Sequence, residues 1–203
     1  MQEIFSKILK RREREILELE TETQEQSLAL EKSEPEAADR SYAHLLLGVL
    51  TVSDRCSQGL MVDTAGPAVT RLLRENLPDA NFWAGLVRDD EGMIASTLRE
   101  LSRKGAALIL TVGGTGLGPR DRTPEATRQV IDREAPGLAE AMRAIGATQY
   151  PFSWLSRGIA GLAGKTIIVN LPGSERGATE SLISILPLLQ HGIEIAAGGQ
   201  NHP

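Results

Sequence analysis

Three uninterrupted apolar runs constrain this chain more than any other feature: LLLGVLTVSD at 45–54, AALILTV at 106–112 and KTIIVNL at 165–171. Each is too short for a membrane span and rich in β-branched and aliphatic residues, the pattern of a strand buried on both faces. A fourth strand is predicted at Asn81–Val87. Between the strands the period changes to that of helices. Residues 68–76 follow Pro67, a good first-turn residue, and 91–104 carry Met93, Ile94, Leu98 and Leu101 before Gly105 stops the helix. Further helices are expected over 124–133, 137–145 and 175–197, the last broken or kinked at Pro187. Strands alternating with helices imply βαβ units, a mainly parallel sheet and helices on both faces.

Residues 1–41 have a different character. They hold 7 Lys/Arg against 11 Asp/Glu, whereas the rest of the chain is nearly balanced at 15 against 16. Ile4, Ile8, Ile16 and Leu19 recur at helical spacing among charges, and residues 33–41 with Pro35 read as a linker. The division expected is a charged helical or flexible extension over 1–41 and an α/β domain over 42–203. The extension is either a frayed or flexible arm or a helix that packs on another subunit or partner. A net charge of −5 argues against a nucleic-acid surface. Without a signal peptide or a bilayer-length apolar run, a cytoplasmic protein without a membrane partner is expected. The one cysteine, Cys56, excludes an internal disulfide and a cysteine zinc cage. None of the three histidines has a catalytic setting.

In parallel sheets, ligands bind beyond the carboxyl ends of the strands. Four polar segments fall there: 53–66, Asp89-Asp90, 113–123 and 172–177. GGTGLGPRDRTPE at 113–125 is the most informative. Its glycines allow backbone amides to approach a phosphate, and Thr123-Pro124 resembles a helix start that adds free N–H groups. It is neither a Walker A loop nor a dinucleotide fingerprint. Gly113, Gly114, Thr115, Gly116, Thr123 and Glu125 are the candidate phosphate-binding residues. Asp89 and Asp121 are candidate Mg²⁺ ligands, since Mg²⁺ at a nucleotide takes one or two carboxylates plus phosphate oxygens and waters. One of Asp89 and Asp90 also suits the cap of the 91–104 helix. Ser53, Asp54, Asp63 and Gly66 form a possible additional site on the long first loop, with Asx-type turns the competing reading for both aspartates. Ser156 either caps backbone or meets a ligand, Arg157 suits an anionic or planar group, and Ser174 suits both a helix cap and a ligand contact.

Taken in order, VSDRCSQG, DTAGP, VRDD, GGTGLGPRDRTPE, LSRGIAG and NLPGS resemble the MoaB/Mog domain family, which includes molybdopterin adenylyltransferases and the N-terminal domain of gephyrin. The likeness covers residues 44–198 and leaves out the extension. It implies a three-layer α/β/α fold, usually a homotrimer, and transfer of AMP from ATP to the terminal phosphate of molybdopterin with release of pyrophosphate. The product would pass to a molybdenum-insertion enzyme. Carried onto this chain, Gly113–Gly116 resembles the phosphate cradle, and Asp89 and Asp121 the catalytic, metal-associated aspartates. Ser156, Arg157, Pro172, Gly173 and Ser174 are assigned to the molybdopterin edge. Two positions depart from the family pattern: Arg88 and Glu175 stand where proline is frequent. The alternative reading is a non-catalytic molybdopterin carrier or scaffold of the same fold, which would have no need of both aspartates.

Overall fold

A computed structural model describes residues 42–199. The expected N-terminal helix and linker lie outside these residues. The elements in order are β1 (Leu46–Val52), α1 (Asp54–Ser57), α2 (Ala65–Asn76), β2 (Asn81–Val87), α3 (Glu91–Arg103) and β3 (Ala106–Val112). They continue through α4 (Thr123–Arg128), β4 (Arg133–Glu134), α5 (Pro136–Gln149), a 3-10 turn (Pro151–Leu155), β5 (Ala160–Ala163), β6 (Thr166–Leu171) and α6 (Glu175–Ala197). The strands form one sheet in the order β2-β1-β3-β6-β5-β4. The first four in that order are parallel, and β5 and β4 extend the sheet antiparallel to their neighbours.

The layers follow from the strand periodicity of two. Leu47 and Val49 of β1, with Leu108 and Leu110 of β3, meet Val69 and Leu73 of α2 and Leu182 and Leu189 of α6. On the other face Leu50 and Ile109 meet Ile94, Leu98 and Leu101 of α3 and Ala126 of α4. Burying each such aliphatic side chain contributes ~1.5–3 kcal/mol. Chain order places the site. Leaving β1, the chain crosses one face through α2 to reach β2, then returns across the other face through α3 to β3. The crossovers diverge between β1 and β3, so a crevice opens beyond their carboxyl ends, where open α/β sheets bind ligands.

Several expectations are corrected. The helix expected over 124–133 ends at Arg128, because Arg133 and Glu134 leave it to pair with Leu162 and Gly161 of β5. Strand β5 itself lay in a glycine-punctuated stretch without strand character. The expected 137–145 helix runs over Pro136–Gln149, and the last helix continues unbroken through Pro187. Met93 is 42% exposed, since the buried stripe of α3 is Ile94, Ala95, Leu98 and Leu101. No helix among the described residues is long and apolar enough to cross a membrane.

Candidate functional site

The four polar segments meet at the carboxyl edge of the sheet. After β1, the Ser53 hydroxyl accepts from the amide of Cys56 at 3.2 Å and so caps α1. The next residue, Asp54, receives the amide of Asp89 on one carboxylate oxygen and the Arg120 guanidinium on the other. In return the Asp54 amide donates to Asp89 Oδ2 at 2.8 Å. The Asp89-Asp90 ambiguity is resolved by geometry. Asp90 Oδ1 accepts from the amide of Met93 at 2.8 Å and caps α3, which leaves Asp89 to the site.

The glycine loop follows β3. Gly113 and Gly114 have φ of +108° and +65°, conformations that side-chain-bearing residues rarely adopt. A methyl at Gly113 would lie 2.3 Å from the Val52 carbonyl oxygen, and one at Gly114 would meet Thr123 Oγ1 at 2.2 Å and Asp89 Oδ1 at 3.0 Å. Buried Thr123 locks the turn: its hydroxyl donates to the Gly113 carbonyl at 2.8 Å and its amide to the Gly114 carbonyl at 3.1 Å. The amides of Gly114, Thr115 and Gly116 donate to no backbone or side-chain acceptor among the described residues. Such a run of open N–H groups is what an anion needs. Asp121 Oδ2 accepts from the Gly118 amide at 2.7 Å, fixing this carboxylate across the same loop.

Beyond β6, the Ser174 hydroxyl accepts from the amide of Gly177 at 3.2 Å and caps α6, so its cap role is met. Gly173 packs its backbone against Gly113. Asn170, fully buried, donates to the Thr111 and Thr127 hydroxyls at 3.0 and 2.8 Å and accepts from the amide of Ile159 at 3.3 Å. The Thr127 hydroxyl then reaches the Thr123 carbonyl at 2.9 Å. A continuous polar chain thus runs from β6 through α4 to the glycine turn.

Two hollows flank this backbone ridge. One, of about 500 Å³, is walled by Met142, Tyr150, Phe152, Leu155, Arg143 and Ser156. The other, of about 560 Å³, takes in Asp54, Cys56, Met61, Val62, Asp63 and Asp89. Gly114, Asp121, Gly173 and Ser174 line both. The predicted residues divide accordingly. Asp54, Asp89, Asp121, Gly113, Gly114 and Gly173 converge at the ridge. Asp63 instead makes a turn, accepting from the Gly66 amide at 3.0 Å and the Thr51 hydroxyl at 2.6 Å, while Gly66 is buried in the first turn of α2. Glu125 and Arg157 are paired with each other, and neither lines a hollow.

Three carboxylates, those of Asp54, Asp89 and Asp121, crowd the ridge. Burial is the largest cause raising the Asp89 carboxyl above its ordinary value of 3.8, and the charges of Asp54 and Asp121 add to it. The Asp54 amide and Arg120 act in the opposite sense. Asp89 and Asp121 each commit Oδ2 to a backbone amide, and their Oδ1 atoms accept no hydrogen bond among the described residues. No group of three or more His, Cys, Asp or Glu able to hold a metal ion occurs among those residues. A hard ion held by the two open Oδ1 atoms of Asp89 and Asp121 would have to draw the rest of its shell from phosphate oxygens and water.

The domain family described as "Probable molybdopterin binding domain" matches residues 48–191. The chain belongs to this MoaB/Mog family. It is 40% identical over 152 residues to the molybdenum cofactor synthesis protein cinnamon of Drosophila melanogaster, covering 74% of this chain and 25% of that protein. It is 35% identical over 154 residues to a molybdopterin adenylyltransferase of Helicobacter pylori, covering 75% of this chain and 88% of the relative. The crystal structure of the molybdopterin biosynthesis enzyme MoaB from Thermus thermophilus superimposes with a TM-score of 0.69 at 48% identity, covering 76% of this chain and 97% of that one. The chain thus spans a quarter of the cinnamon protein's length and most of the Helicobacter relative's.

In this MoaB/Mog domain the roles of Asn170 and of the aromatic wall at Tyr150 and Phe152 emerge only from the structure. Asn170 did leave a signal: it is the one amide side chain inside the apolar run TIIVNL, where an uncompensated polar group would be costly. The aromatic wall left none, because Phe152 lies in a short 3-10 turn between α5 and β5 and Tyr150 immediately precedes it.

Proposed function

We propose that this MoaB/Mog domain is a molybdopterin adenylyltransferase of molybdenum cofactor biosynthesis, transferring AMP from ATP to the terminal phosphate of molybdopterin. The observation that carries the reading is the ridge of Gly114, Asp121, Gly173 and Ser174 common to two hollows. Two substrates seated on either side of it would bring their phosphates together at one backbone turn. A molybdopterin phosphate oxygen attacks the α-phosphorus of ATP, the new O–P bond forms, the bond to the β-phosphate bridging oxygen breaks, and pyrophosphate leaves. No protein nucleophile is required, and catalysis is positioning together with charge neutralisation.

The chain's own contributions follow from the geometry. The amides of Gly114, Thr115 and Gly116 would bind phosphate oxygens without reorganising, because Thr123 already holds the turn. Asp89 and Asp121 would hold Mg²⁺, whose chemistry is to offset the accumulating phosphate charge. Asp54 holds Asp89 in place, and Arg120 sits at the rim as an exposed cation paired with Asp54 (71% exposed). Ser156 and Pro172–Ser174 line the aromatic hollow and are assigned to molybdopterin. We further assign the domain to a homotrimer that hands its product to a molybdenum-insertion enzyme, on the family resemblance alone.

The deciding experiment is pyrophosphate release with ATP, Mg²⁺ and molybdopterin. Release that depends on both substrates and yields adenylylated molybdopterin supports the reading. Tight molybdopterin binding without pyrophosphate release would make the domain a carrier.

A further inference from the structure

The geometry points to Arg157 as a positioning residue that staples the phosphate loop, with Glu125 as its orienting partner, rather than as a ligand of substrate. The inference rests on the adenylyl-transfer reading and assigns these two residues within it. Arg157 grips the loop at four places. Its amide donates to the Thr115 carbonyl at 2.9 Å, Nε to the Gly116 carbonyl at 2.7 Å, and Nη2 to the Asp121 carbonyl at 2.6 Å. Nη1 pairs with Glu125. Gly116 and Asp121 are the two ends of an exposed excursion, 117–120, and no other side chain among the described residues bridges their carbonyls.

The consequence reaches the chemistry. The excursion carries Arg120, and its far end carries the Asp121 carboxylate. Pinning both ends to one planar group fixes the carboxylate relative to the amides of Gly114–Gly116. A guanidinium suits this task because its donors diverge in one rigid plane, whereas an ammonium cannot address two carbonyls and a carboxylate in fixed directions. Glu125 sets the orientation of that plane. Its Oε2 is buried and without a hydrogen-bond partner, while Oε1 accepts from Arg157. Burial acts to raise the Glu125 pKa, yet the Arg157 hydrogen bond, the residue's own amide and the charges of Arg157 and Arg122 together hold the carboxyl below its ordinary value.

The test compares Arg157→Lys, Arg157→Gln and Glu125→Gln with the wild type. It measures kcat, Kd for molybdopterin and for MgATP, and backbone amide exchange over 114–122. The expected result is a kcat lower by ~10–100-fold in both Arg157 variants, the scale of a misplaced catalytic group. Molybdopterin Kd should stay within about threefold, exchange of the hydrogen-bonded Gly118 and Asp121 amides should accelerate, and Glu125→Gln should show the same pattern more weakly. Unchanged exchange in Arg157→Gln would overturn the staple. A molybdopterin Kd raised tenfold or more with kcat preserved would make Arg157 a ligand instead. Should Arg157→Gln not fold, Glu125→Gln and Arg157→Lys are read by the same criteria. The exchange measurement needs no turnover, so failure of the staple is separable from failure of the adenylyl-transfer reading, which wild-type pyrophosphate release reports.

Discussion

Asp54 and Asp89 hold each other through reciprocal hydrogen bonds, the amide of each donating to the carboxylate of the other at 2.8 and 3.3 Å. The arrangement ties the carboxyl ends of neighbouring strands β1 and β2 together. It also brings two negative groups side by side, at a cost that one backbone amide apiece and the exposed Arg120 offset only in part.

That cost predicts the behaviour of Asp89→Asn. Because the folded-state pKa of Asp89 is raised, chiefly by burial, the native state keeps this proton at pH values where the unfolded chain has lost it. Stability therefore falls as pH rises from the ordinary value of 3.8 to the raised one, and the penalty is constant above that. Asparagine keeps an oxygen for the Asp54 amide and removes the charge. The variant should melt above the wild type at pH 7.5, with the difference shrinking as pH approaches 4, while turnover drops ~10²-fold or more. Thermal melts at the two pH values check this, and a variant less stable at pH 7.5 would contradict it.

Asp121→Asn separates charge from shape at the loop. Asparagine retains an acceptor for the Gly118 amide, so the turn should stand. Turnover is expected to fall by ~10²-fold or more, molybdopterin binding to persist, and residual activity to need higher Mg²⁺. Wild-type turnover with unchanged Mg²⁺ dependence would reduce Asp121 to a turn residue.

Gly113→Ala should be destabilising before any question of catalysis. Its φ of +108° disfavours a side chain, and the methyl would sit 2.3 Å from a backbone oxygen that cannot step aside. A loss of about 2–4 kcal/mol is expected in denaturant unfolding. A change under 1 kcal/mol would mean that the turn relaxes.

Asn170 offers a test of the polar chain behind the site. Asn170→Ala strips a buried acceptor from the Ile159 amide and a donor from two threonine hydroxyls. An unfolding loss of roughly 2–4 kcal/mol follows from leaving such groups unpaired. Asn170→Asp should be worse at pH 8 than at pH 5, because protonation removes the buried charge. Equal stability of Asn170→Asp at both values would show that water reaches this position.

Burial on both faces demands continuous apolar runs, and these made β1, β3 and β6 and the parallel sheet legible in the sequence alone. The carboxyl-edge rule then placed Asp54, Asp89, Gly113–Gly116 and Pro172–Ser174 near one another before any coordinates. Local rules stopped at partnership. Nothing in VRDD says that Asp90 caps and Asp89 is left for the site, since both suit a cap and only the helix start relative to β2 selects one. Strand β5 was invisible because AGLA has little strand character of its own and is held by pairing with β6 and β4. An arginine in a polar segment advertises charge but not direction, so the partners of Arg157 were not legible in the sequence. Its partners at Gly116, Asp121 and Glu125 lie 32 to 41 residues away in sequence, and only packing brings them within hydrogen-bonding distance.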